Sequence, residues 1–192
     1  MKVFVFVNLT LDGVMQSPAS PEEDTRDGFR QGGWGAPYAA MASAGEAMAK
    51  VGGLLLGRRT YEQFYSVWPK RTDSPYSAWM DNITKYVASR TLEGPLPWRN
   101  SVLLKGDAAE AVARLRKEPG KDIVIMGSGE LVQSLMRANL VDEYVLLIHP
   151  LVLGTGRRLF ADGGAAASLR LVSSKTTDKG VIVATYRPTE PA

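Results

Sequence analysis

Asp122-Ile123-Val124-Ile125-Met126-Gly127-Ser128-Gly129-Glu130-Leu131-Val132-Gln133-Ser134-Leu135-Met136 decides how the rest of the chain is read. Residues 123–126 are apolar and mostly β-branched, the composition of a short strand buried on both faces. Gly127, Ser128 and Gly129 break the run, and beyond them Leu131, Val132, Leu135 and Met136 recur at helical spacing. A strand that turns through two glycines into a helix leaves the first helical N–H groups unpaired. With no Cβ in the way, an anion such as a pyrophosphate can approach them closely. The same Gly-Ser-Gly also serves as an ordinary tight connection in α/β proteins. The full Gly-x-Gly-x-x-Gly pattern is absent, because Val132 stands at the third glycine, and the element lies in the second half of the chain. A standard Rossmann arrangement therefore does not fit.

Working outward, 192 residues with 45% hydrophobic side chains suit one α/β domain over residues 1–192 with a substantial core. The net charge of +3 and pI near 9.2 are mildly basic. Lysine and arginine are scattered, apart from Arg58-Arg59, Lys70-Arg71 and Arg157-Arg158. That is too thin for a nucleic-acid stripe and enough for a small phosphorylated ligand. The absence of cysteine excludes disulfides and thiolate metal sites, and no metal constellation is visible. The N-terminal run Met1-Lys2-Val3-Phe4-Val5-Phe6-Val7 is too short and β-branched for a signal peptide, and no apolar run approaches the roughly 20 residues that span a bilayer. The expectation is a soluble, cytoplasmic protein that engages no membrane.

Residues 2–8 read as a central strand, ended by Asp12-Gly13 turn chemistry. Residues 16–35, rich in Pro, Gly and acids, read as a long mobile loop, either a lid or a disordered insertion. Phe29 and Trp34 favour the lid, since exposed aromatics in such a loop need something to cover. Residues 38–50 suggest a helix rich in alanine and methionine, and 54–56 a buried strand closed by Gly57. Tyr61, Phe64, Tyr65 and Trp68 then form a helical stripe that reads as core. Residues 71–81 are expected to be a loop, 85–88 and 101–104 strands, and 108–117 a helix opened by the capping box Asp107/Glu110. A strand over 141–148, extended through 151–153, precedes a basic turn at 154–158 and a hairpin of 169–176 with 181–187. The sum is an α/β fold: one mixed, mostly parallel sheet of about eight strands, helices on both faces, and a C-terminal antiparallel hairpin.

Ligands of open α/β sheets gather outside the carboxyl ends of the parallel strands. Segments 8–13, 57–60, 89–91 and 127–130 all follow strand ends and are expected to converge on one edge. Gly57 with Thr60, and Gly127 with Gly129, would each hold part of a pyrophosphate. Arg58, Ser89 and Arg90 would receive a further phosphate, which a planar guanidinium can grip with two N–H groups.

These pieces, residues 8–13, Gly57-Arg58-Arg59-Thr60-Tyr61, Ser89 after a strand, Gly127-Ser128-Gly129-Glu130-Leu131 and Leu153-Gly154-Thr155-Gly156-Arg157-Arg158-Leu159-Phe160, occur in order along nearly the whole chain. Together the chain resembles the dihydrofolate reductase-like superfamily, and more closely stand-alone relatives of the C-terminal reductase domain of the bifunctional riboflavin-biosynthesis deaminase/reductase. The resemblance implies NADPH bound in an extended form. Thr60 and the backbone of Gly127, Ser128, Gly129, Glu130 and Leu131 would lie on its pyrophosphate. Gly57 and Arg59 would also contact the cofactor, with Arg58, Ser89 and Arg90 around the adenosine 2′-phosphate. Relatives pair as homodimers, and a homodimer is expected here.

The chain also departs from these relatives. Folate reductases carry an acid early in the first helix, whereas 38–42 has none and Glu46 lies a turn or more downstream. The zinc-binding deaminase half is missing. The implied reaction is hydride transfer to C=O or C=N of a small, pyrimidine- or pterin-like substrate held near Asn8, Trp34, Gly154 and Thr155. Asp12, at the end of the first strand, is the candidate proton donor, or simply an Asp-Gly turn former. His149, the sole histidine, reads more readily as structural. A nucleotide-binding module without turnover is the alternative.

Overall fold

The computed structural model describes residues 1–38, 48 and 50–189. Its strands are β1 Val3–Thr10, β2 Val51–Gly57, β3 Thr84–Ser89, β4 Ser101–Lys105, β5 Asp122–Met126, β6 Glu143–His149, β7 Leu169–Thr176 and β8 Ile182–Pro188. They form a single eight-stranded sheet in the order β4-β3-β2-β5-β1-β6-β8-β7. Pairing is parallel from β4 across to β6 and antiparallel from β6 through β8 to β7. The expected mixed sheet with its terminal hairpin is thus what forms.

Among the described residues four α-helices cover it: α1 Arg58–Val67, α2 Pro75–Asn82, α3 Ala108–Leu115 and α4 Gly129–Arg137. The period-two alternation of β1 sorts its side chains between two cores. Phe4 and Phe6 join Leu54, Leu56 and Val124 beneath Tyr61 of α1 and Met80 of α2. Val3 and Val5 join Leu55, Ile123 and Ile125 beneath Val112 of α3 and Leu131, Val132 and Leu135 of α4. Because helices lie on both faces, the central strands read as unbroken apolar runs rather than alternating ones.

Three expectations are corrected. Residues 71–81 are not all loop, because α2 starts at Pro75, where Ser74 caps it by accepting from the Ser77 N–H at 3.2 Å. Residues 151–153 do not continue β6, since the Leu151 N–H turns back to the His149 carbonyl at 2.8 Å. The loop 16–35 is packed rather than open. Phe29 and Trp34 are buried with Val14 in a satellite core, and the Trp34 indole N–H donates to the Gln16 carbonyl at 2.8 Å. The buried Gln16 amide donates to the Asp24 and Arg26 carbonyls at 3.3 and 3.1 Å and accepts from the Arg157 N–H at 2.9 Å. The helix expected over 38–50, Glu46 included, falls almost wholly outside the described residues.

Candidate functional site

β2 and β5 are parallel neighbours, with Leu55 opposite Ile125, so the strand-to-helix junctions that follow them lie side by side. Hydrogen bonds stitch the two together. The Gly57 N–H donates to Ser128 Oγ at 3.0 Å, and the Ser128 N–H donates to Thr60 Oγ1 at 3.1 Å. Ser128 Oγ in turn donates to the Met126 carbonyl at 3.2 Å. Ser128 sits in the left-handed region at φ 55°, unusual for a residue with a side chain. At Gly127, φ is 59° and a Cβ would come within 3.1 Å of Thr60 Cγ2, so both the turn and the close approach require glycine.

With Ser128 engaged in this way, no side chain caps α4, and none caps α1 at Gly57. Unpaired first-turn N–H groups and the positive ends of two helix dipoles therefore lie next to each other. Both ends open into a cleft of about 940 Å³. Its walls include Asn8, Gly57, Arg58, Arg59 and Thr60, then Ser89, Arg90 and Thr91, then the run from Gly127 to Leu131. The four segments expected to converge do so, although the first contributes Asn8 and not Asp12.

Charge on these walls is uneven. Arg58, Arg59 and Arg90 are exposed, and none has an ion-pair or hydrogen-bond partner among the described residues. Ser89 Oγ shapes the turn beside them, accepting from the Thr91 and Leu92 N–H groups at 3.1 and 3.0 Å. Across the cleft the cations are engaged. Arg157 contacts Glu130 at 3.1 Å and Asp27 at 2.9 Å, while Arg26 contacts Glu130 at 3.7 Å and Asp24 at 2.5 Å. No local pattern of residues points to this latch between the loop 16–35, the 154–158 turn and α4.

Asp12, Trp34, Gly154 and Thr155 lie off the cleft wall. The Asp12 carboxylate accepts from Thr10 Oγ1 at 2.5 Å, the Gly154 N–H at 2.8 Å and the Leu153 N–H at 3.2 Å. The Thr10 hydroxyl above all, helped by the two amides, holds its carboxyl below the ordinary range against the opposing effect of burial. Asp12 is an ionised clasp and has no proton to give at neutral pH. Trp34 packs edge-on to the His149 ring, with centroids 5.2 Å apart. His149 is fully buried with Nε2 2.9 Å from Asn8 Oδ1, and burial pushes its pKa down to about 4. It is a neutral ring that fixes Asn8.

Phe64 and Trp68, expected in the core, are half-buried and reach the cleft together with Tyr76. Trp68 and Tyr76 meet edge-on at 5.3 Å, and the Arg71 guanidinium, paired to Asp73 at 2.7 Å, lies 5.2 Å from the Trp68 ring centre. A helical stripe wide enough to run from core to cleft gives the same spacing in both places, so periodicity could not separate them. Among the described residues no cluster of three His, Asp or Glu side chains could hold a metal, and no helix is long and apolar enough to cross a membrane.

A sheet of this order with a ligand-sized cleft over β1, β2, β3 and β5 defines a dihydrofolate reductase-like fold. The chain belongs to the RibD C-terminal domain family, whose model matches residues 1–183. It is 33% identical over 137 residues to the uncharacterized protein YyaP of Bacillus subtilis (strain 168), covering 69% of this chain and 72% of that one. A putative riboflavin biosynthesis protein from Shewanella sp. PV-4 superposes with a TM-score of 0.71 at 22% identity, over 99% of this chain and 100% of its own. Dihydrofolate reductase from Enterococcus faecalis, complexed with NADP(H) and RAB-propyl, superposes at 0.63 and 15% identity over 98% and 97% of the two chains. At these identities the solved structures speak for the fold alone.

Proposed function

We propose that the protein is an NADPH-dependent reductase that delivers a hydride to a C=O or C=N group of a small, pyrimidine- or pterin-like substrate. Membership of a reductase-domain family supports the class. The observation that carries the cofactor is the pair of uncapped helix ends tied together through Gly57, Ser128 and Thr60, with unpartnered Arg58 and Arg90 on the adjoining wall. Unsatisfied N–H groups, aligned dipoles and free guanidinium groups form the donor set that a dinucleotide with an extra phosphate needs.

In this reading the N–H groups of Gly129, Glu130 and Leu131 and the Thr60 hydroxyl hold the pyrophosphate. Arg58, Arg59, Ser89 and Arg90 hold the 2′-phosphate. NADPH, when bound, supplies the hydride from its nicotinamide ring. Asn8, fixed by His149, orients the substrate where β1 enters the cleft, and Phe64, Trp68 and Tyr76 give a flat ring a surface to lie on.

Binding is tested by NADPH quenching of tryptophan fluorescence, and turnover by loss of absorbance at 340 nm with a 7,8-dihydropterin and with phenanthrenequinone. Binding without turnover would favour the binding-module alternative. Arg58→Ala is expected to weaken NADPH roughly ten- to a hundredfold, the scale of one hydrogen-bonded charge pair, and NADH hardly at all. Equal losses for both would remove Arg58 from the 2′-phosphate.

A further inference from the structure

Adding a hydride to C=O or C=N leaves an electron pair on the heteroatom that must take a proton. Asp12 is ionised and off the cleft, and His149 is buried and neutral. Among the described residues, the carboxyl groups on the cleft walls are Glu22, Glu23, Asp24, Asp107 and Glu130. Most are committed. Asp24 is held by both ends of the Arg26 guanidinium, Asp107 caps α3 by accepting from the Glu110 N–H at 3.0 Å, and Glu130 pairs with Arg157 and Arg26. Glu22 is exposed.

Glu23 differs from all of these. It is half-buried and has no cationic partner among the described residues. Carboxyl oxygen Oε2 accepts from the Ala19 N–H at 2.7 Å, and the Ser20 backbone amide also bonds the carboxyl. The backbone on either side is held from within the loop. Ser17, buried and in the left-handed region at φ 55°, donates through Oγ to the Ser20 carbonyl at 2.8 Å and accepts from the Asp24 N–H at 3.0 Å. The Glu23 N–H reaches the same Ser20 carbonyl at 3.3 Å, and the Gln16 amide grips the Asp24 and Arg26 carbonyls. A carboxyl on so short and braced a turn is presented to the cleft in one place.

We infer that Glu23 is the general acid of this reductase, donating its carboxyl proton to the nitrogen or oxygen of the substrate as hydride adds to the neighbouring carbon. The inference rests on the reductase reading above. In balance, the substrate gains one hydride from the reduced nicotinamide and one proton from Glu23. The C=N or C=O π pair becomes the new N–H or O–H bond. NADP⁺ is the oxidised product, and water returns a proton to the Glu23 carboxylate. Burial first, then the neighbouring Asp24 charge, raise the Glu23 pKa above its ordinary 4.5 against the Ala19 and Ser20 amides. The charged groups that share this part of the cleft are Glu22, Asp24 and Arg26 on the same loop, Glu130 on α4, and Arg157 and Arg158 on the turn opposite. A bound polyphosphate adds negative charge and pushes the proton affinity up further.

Glu23→Gln keeps the shape and the acceptor for Ala19. With the dihydropterin or phenanthrenequinone as probe, kcat at pH 7 is expected to fall about a hundredfold, the scale of positioned acid catalysis. NADPH affinity by tryptophan quenching should stay within about twofold. The wild-type decline in kcat as pH rises through the Glu23 pKa should vanish in the variant. A readout independent of turnover is the ¹³C carboxyl resonance of glutamate-labelled protein that is missing in Glu23→Gln. It should titrate above 4.5 and shift upward on adding NADPH. The inference is overturned by unchanged kcat and pH profile in Glu23→Gln, by a resonance titrating at or below 4.5, or by loss of the pH limb in Glu46→Gln instead. If neither probe is turned over, the resonance decides. Wild-type protein that fails to quench with NADPH would instead strike at the reductase reading itself.

Discussion

The Ser128 backbone N–H reaches Thr60 Oγ1 at 3.1 Å although the two residues lie 68 positions apart, and it joins the start of α4 to the first turn of α1. The bond uses the Thr60 hydroxyl as an acceptor and leaves its proton free for a ligand. Thr60→Val has nearly the same shape and can neither accept nor donate. It strands the Ser128 N–H and removes one donor from the proposed phosphate site. Loss of a hydrogen bond on this scale, about 1–2 kcal/mol, predicts roughly five- to thirtyfold weaker NADPH binding by fluorescence titration. An unchanged affinity would mean that the two helix ends hold their positions without this contact.

Glu130 has two opposed parts. Its N–H belongs to the proposed anion site, while its carboxylate, 77% exposed, stands at the same helix end and is neutralised by Arg157 and Arg26. Glu130→Gln keeps the N–H and frees both arginines, which retain Asp27 and Asp24 as partners. Binding of NADPH is predicted to tighten by about two- to fivefold at low salt, as expected for one exposed charge near a phosphate, and the gain should shrink as salt is added. Weaker binding would show that the carboxylate matters more as an anchor for the two arginines than as a repelling charge.

How far the sequence could disclose this site depends on how local each determinant is. The alternation of Val3, Phe4, Val5 and Phe6, and the glycines after β2 and β5, act on their immediate neighbours, so strands and junctions could be read directly. Asp12 could not be resolved that way, because an Asp-Gly turn and a catalytic acid look alike. The Thr10 hydroxyl beside it acts first, but the Leu153 and Gly154 amides that complete the clasp lie 141 and 142 positions away. The loop 16–35 reads as mobile from its sequence for the same reason. Gln16 organises it by accepting from Arg157, 141 positions distant, and nothing near Gln16 reveals that. Helix α2 was missed because its start is marked only by Ser74 and Pro75 within a polar, loop-like stretch.

Burial holds the His149 pKa at about 4, against an ordinary 6.5 in the unfolded chain. The unfolded state therefore takes up a proton first as pH falls, and stability is lost between 6.5 and 4. From pH 7 to pH 5 the loss attributable to this ring is about 2 kcal/mol. Urea unfolding of wild type and His149→Gln at the two pH values should show a clearly smaller drop for the variant, whose amide can still donate to Asn8. Equal drops would assign the acid sensitivity to other groups.

Strand β5 is threaded between β1 and β2, both of which are made before it. During synthesis those two cannot close against each other without shutting out a segment that starts 65 positions after Gly57, so a slot must stay open in the nascent sheet until Asp122–Met126 arrives. The proposed nucleotide groove is finished by the same insertion, which brings in α4 immediately behind it. Maturation of the fold and competence to bind are therefore one event, and a ligand gripping both junctions would act as a bolt across the last seam to close.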